Sequence, residues 1–238
     1  MMQKAKNNSY ASEYLAQIVK IIQENEEFLR HNANEVYDEV VELINDAIDE
    51  VMLVTKKPGR EKEYIERSMS FFIYHVFMPF SYAIYFDLLA GNVPACFIEL
   101  RFMLESLMKC YLADLKHPEE AFFQTRLELL EQDMKQMKLS ISRAMEELGE
   151  ELGVANSFVA LWGKLSQDWI HMKGFTDKLV SYVTEKSDIP PWALAIPMNY
   201  TEKDLGILEE LRDRISQFRS LLKTTMEKYR QEYGPGTG

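Results

Sequence analysis

The chain reads as all-α, an antiparallel helical bundle with long core helices, and three observations lead to that class. Glycine and proline, the two helix breakers, are scarce (10 and 8 of 238 residues). Apolar residues recur at three- and four-residue spacing over long stretches, with charges on the opposite face. No period of about 20 to 50 residues repeats, which sets aside a solenoid.

Taken in order, the first helix is expected from Ser9 to Arg30, with Leu15, Ile18, Ile22 and Phe28 or Leu29 toward the core. The second, "NEVYDEVVELINDAIDEVMLV", places Val36, Val40, Leu43, Ile44, Ala47, Ile48 and Val51 on one stripe and acids on the other. "KKPGR" (56–60) ends it. A third helix is expected from Glu61 to Ala90, kinked or divided at Pro79, which removes a backbone donor and crowds the preceding turn. "GNVP" (91–94) turns the chain into a fourth helix, "ACFIELRFMLESLMKCYLADL", apolar on nearly every side and interrupted by Glu99, Arg101, Glu105 and Lys109. The fifth is expected as one long charged helix from Glu119 to Glu151, and the sixth from Asn156 to Met172, ending at Gly174. Residues 175–199 lose the period, in a stretch that includes the Pro-rich "SDIPPWALAIPMNY". The last helix opens at Thr201, where "TEKD" resembles a capping box with Asp in place of Glu. Its stripe is Leu205, Leu208, Leu211, Ile215, Phe218, Leu222 and Met226. Residues 1–232 are therefore expected to form a single helical-bundle domain, with 1–58 a candidate peripheral hairpin and 233–238 a disordered tail.

Composition narrows the function classes. A net charge of −11 disfavours nucleic acid, whose phosphates reward clustered Lys and Arg. Cys96 and Cys110 fall on one helix about 21 Å apart, too far to bridge each other, and the polar N-terminus lacks a signal-like apolar core, so a cytoplasmic setting is expected. "SMSFFIYHVFMPFSYAIYFDLLAG" (68–91) is long enough to span a bilayer. Yet it holds His75, Pro79 and Asp87, and a mid-span acid costs about 2.5–3.5 kcal/mol. The centre of a bundle calls for the same all-round apolar helix, so no membrane is expected.

Chemistry has two candidate places. Arg101 and Glu105, four apart on the fourth helix, form a charged stripe on an apolar rod. They line a polar binding pocket or pair to fix helix register. In "KLSQDWIHMKG" (164–174), Lys164, Asp168 and His171 share a face. His171 suits general acid or base work, and Lys164 suits steadying a developing anion, with Asp168 beside them. The structural alternative is a Lys164–Asp168 ion pair and a histidine at a helix C-terminus. No Glu-x-x-His pair, ligand-spaced cysteines, phosphate loop or nucleophile elbow is present, so neither metal nor cofactor is expected.

The phrases "LLAGNVPACFIELRFMLESLMKCYLADL" and "LWGKLSQDWIHMKG", spanning about residues 88–174, resemble the HEPN-like all-α proteins of archaea and bacteria. There a small-residue turn leads into a core helix bearing Arg and Glu, and a later helix ends in an "LS…H" phrase. The resemblance implies a HEPN-like bundle. In its catalytic members it implies a dimeric, metal-independent ribonuclease with an Arg four to six residues before a His. His171 matches that histidine. The arginine window holds Lys164, Leu165 and Ser166, so a lysine stands where the family has a planar guanidinium fork. The expected function is accordingly partner binding or self-association, as a homodimer or with a protein partner, without catalysis. The alternative is a HEPN-type endoribonuclease using His171.

Overall fold

Among the described residues eight helices follow one another: α1 (Met2–Asn32), α2 (Asn34–Thr55), α3 (Ser68–Leu89), α4 (Val93–Lys116), α5 (Phe123–Gln136), α6 (Ile141–Glu151), α7 (Ser157–Trp169) and α8 (Leu205–Tyr233), the last entered through a 3₁₀ turn at Glu202–Asp204. The computed structural model describes residues 2–55, 66–154, 156–169 and 198–233. Every regular element among them is helical, so the protein is an all-α bundle.

The core is organised around α4, whose side chains are buried on most of its circumference from Val93 to Asp114. It packs against α3, α5, α6, α7 and α8, while α2 lies across α3 and α8. Phe97, Leu100, Leu104, Leu107 and Tyr111 are fully buried there. Each such side chain contributes about 1.5–3 kcal/mol relative to exposure, so a helix apolar all round is stable only at this position. The α2 stripe is buried at Val36, Val40, Leu43 and Ala47, but Ile48 is 37 % exposed, at the outer edge of the stripe. The α8 stripe is buried from Leu208 to Met226. Leu15, expected in the core, is exposed because α1 meets the bundle through its C-terminal half.

Three boundaries differ from the sequence expectation. The third helix begins at Ser68 rather than near Glu61. Arg67 is extended, and the first two amides, Ser68 and Met69, donate to the Asp114 carboxylate of α4 at 2.9 and 3.0 Å. Residues 56–65 lie outside the described residues. Pro79 lies in the first turn of the α-helical stretch Met78–Leu89, so the expected division is a change of helix type and not an end of α3. Phe72–Phe77 widens into π-helical turns just ahead of Pro79, relieving the clash between the proline ring and the preceding turn. The expected single helix 119–151 is two, α5 and α6. Lys138 takes a left-handed conformation (φ 52°), and Leu139 N–H reaches back to Met134 C=O at 2.8 Å, closing α5. Ser140 then caps α6 by accepting from Arg143 N–H. No glycine or proline marks this break.

The α3–α4 turn anchors both α1 and the segment that leads into α8. Gly91 (φ 72°) sits where a Cβ would come within 2.2 Å of Met198 C=O, and Met198 N–H donates to Ala90 C=O at 3.0 Å. Buried Asn25 of α1 donates to Leu89 and Met198 carbonyls, both at 2.8 Å, and accepts from Tyr200 N–H, tying three chain segments together. The Thr201–Asp204 capping box forms as its sequence suggested, with Asp204 in the glutamate's place.

Candidate functional site

On α4, Arg101 Nη2 and Glu105 Oε1 pair at 2.9 Å, both largely buried. Trp162 of α7 completes the group. Its indole N–H donates to Glu105 at 2.7 Å, and its ring lies 5.5 Å from the Arg101 guanidinium. Two turns nearer the α4 N-terminus, Phe97 stacks on Trp169 with ring centroids 4.2 Å apart. The i, i+4 spacing of Phe97, Arg101 and Glu105 thus faces the i, i+7 spacing of Trp162 and Trp169, and fixes the α4–α7 register. Lys109, one turn further on, pairs instead with Glu131 of α5 at 3.3 Å.

Of the other candidates, Lys164 is exposed on α7, flanking the face that buries Leu161, Leu165 and Trp169. The Asp168 side chain and His171 lie outside the described residues. Both cysteines are free and buried, and burial pushes their thiols far above the ordinary range. Among the described residues no group of three or more His, Cys, Asp or Glu could hold a metal ion.

A feature that sequence reasoning missed is the outer face of the α3–α4 hairpin. From Glu66 to His117 the exposed residues are His75, Pro79, Tyr82, Phe86, Ile98 and Phe102. Phe86 is 62 % exposed and Phe102 46 %. Phe80 contacts Phe102 at 4.8 Å between centroids and joins the two helices at this face. No Asp, Glu, Lys or Arg is among these exposed residues, and the charged groups of the two helices are partly or fully buried, as at Lys109, which pairs with Glu131. A contiguous apolar face of this kind marks an interaction site.

Beside this face are two carboxyl groups. Asp87 follows Phe86 on α3, and its Oδ1 accepts from Asn92 Nδ2 at 2.8 Å. Glu99 follows Ile98 on α4, and its Oε2 is buried without a hydrogen-bond partner among the described residues. Burial first, then the neighbouring Asp87 carboxylate, pushes the Glu99 carboxyl up to about 8. The sequence put Glu99 off the Arg101–Glu105 stripe. The clue was the turn at Gly91, which brings residues a few positions before and after it onto facing helix sides.

The most buried ion pair was also missed. Asp114, fully buried, lies 2.6 Å from Arg126 Nη1 of α5, caps the start of α3 and accepts from Tyr229 OH at 2.8 Å. Arg126 in turn donates to the Glu120 carbonyl from Nε at 2.7 Å. Every lone-pair direction of this carboxylate has a donor, so the group ties α3, α5 and α8 to α4 and offers nothing to a ligand. Compared with protein-family models, with curated proteins and with solved structures, the chain shows no match in any of the three.

Proposed function

We propose that the protein is a cytoplasmic, HEPN-like bundle that works without catalysis by self-association, two copies meeting at the aromatic face of α3 and α4. The observation that carries this reading is the run from Glu66 to His117, whose exposed residues include four large apolar side chains and no permanent charge. A second copy suits the face best on charge. Two chains of net −11 repel except where the surface is neutral, so contact costs least here. A basic partner would find no fully exposed carboxylate along these helices, since Asp87, Glu99 and Glu105 are all partly buried. An anionic bilayer would find along these helices only Lys and Arg that are partly buried and already paired, Arg101 with Glu105, Lys109 with Glu131 and Lys116 with Glu147. Stripes at i, i+4 on two antiparallel helices also suit a two-fold contact, in which each α3 lies against the partner's α4 as a four-helix arrangement.

Sedimentation equilibrium across a concentration series tests this. The wild type is expected to dimerise, and the Phe86→Glu/Phe102→Glu variant to remain monomeric with its melting temperature little changed. A strictly monomeric wild type overturns the reading, as does flotation with neutral lipid vesicles in place of dimerisation. The same preparation is expected to leave RNA intact in EDTA. Cleavage that His171→Ala abolishes would replace this reading with the ribonuclease one.

A further inference from the structure

We propose that association at the aromatic face is controlled by one proton per copy, held between Asp87 and Glu99 across the α3–α4 hairpin. The inference rests on the self-association reading and adds its regulation. The two carboxyl groups adjoin the face: Asp87 directly follows exposed Phe86, and Glu99 lies between exposed Ile98 and Phe102 in the sequence. They are not equivalent. The Asn92 amide donates to Asp87 and stabilises its charged form. Glu99 Oε2 is buried with no donor among the described residues, so an ionised Glu99 would set a second negative charge, poorly hydrated, against the first.

Among the described residues the neighbours supply no compensating cation. Facing Glu99 from α3 is Asp87. On its own helix, Cys96 is one turn away with its thiol directed to the Ile84 carbonyl at 3.5 Å, and Arg101 is turned to Glu105. From α7, Trp169 stacks on Phe97 of α4 and carries no charge, and buried Ser166 is likewise neutral. Burial and the like charge together keep the proton on Glu99 through neutrality, with loss at about 8. Covering the face with a second copy removes the remaining water from both pairs, which further favours the protonated form. Dimerisation is thereby linked to two protons. It should weaken by up to roughly a hundredfold per pH unit once Glu99 ionises in the monomer.

The test is sedimentation equilibrium at about pH 6.5 and about pH 9 at constant ionic strength, on the wild type, Glu99→Gln and Asp87→Asn. Circular dichroism melting at both values shows that each variant is folded. The wild type is expected to lose at least tenfold in association between the two values, and Glu99→Gln to associate equally at both. Asp87→Asn is expected to move the midpoint to lower pH, because the like charge that retains the proton is gone. A merely structural role would weaken association at every pH and leave the midpoint in place, which overturns the proposal. A wild type that dimerises equally at both values overturns the proton control and leaves self-association standing. A wild type monomeric at both overturns self-association and the control with it.

Discussion

Asp114 and Glu99 are acids on the same helix, and they are held in opposite ways. Asp114 is fully buried, yet Arg126, two backbone amides and the Tyr229 hydroxyl meet its oxygens, all at 3.0 Å or less. Glu99 is only partly buried, yet its neighbour across the hairpin is another carboxylate and one oxygen has no donor among the described residues. The supply of donors, more than depth, decides what a buried charge does. A satisfied carboxylate joins helices and stays inert, whereas an unsatisfied one remains responsive to solvent and to whatever covers it.

Three substitutions can break or sharpen that contrast. The largest effect belongs to Asp114→Ala, which leaves the Arg126 guanidinium buried and unpaired and frees the α3 amides. It is expected to destabilise by about 3–5 kcal/mol in urea unfolding. A loss under about 1 kcal/mol would mean the network is dispensable. Tyr229→Phe removes one donor from the charged group and keeps the ring packing. A loss of about 1.5–3 kcal/mol is expected, smaller than for Asp114→Ala. A neutral result would show that the remaining three donors suffice.

Glu99→Gln is the subtlest and carries a sign. The folded-state value is raised, so the native protein holds the proton more tightly than the unfolded chain. The group's favourable contribution is complete below the ordinary carboxyl range, near 4.5, and is lost as pH rises through about 8. Wild-type melting temperature should therefore decline across this window more than that of Glu99→Gln. Parallel curves for the two would show that Glu99 titrates normally.

The residues that were legible in the sequence share one property: their signal is local. The α2 and α8 stripes follow from spacing along one helix. The Thr201–Asp204 box and the Gly91 turn follow from a few adjacent residues. The α5–α6 break was illegible because Lys138 adopts a glycine-like conformation that nothing in its side chain announces. For the Arg101–Glu105 pair, the sequence supplied the spacing, and Trp162, fifty-seven residues from Glu105, closes the group. Lys164 is exposed on α7 beside its apolar face, and exposure by itself assigns it no chemistry.

The sequence by itself determined the all-α class, most of the helices and the burial of the α2 and α8 stripes, because each depends on periodicity within a single segment. Only the tertiary structure decided which side of α3 and α4 meets solvent. A helix that is apolar all round has no polar face to turn toward water, so its packing partners choose its outer side. The same packing chose the partners of Asp114 and set Asp87 beside Glu99, because contacts between distant segments depend on the fold and leave no periodic trace in the chain.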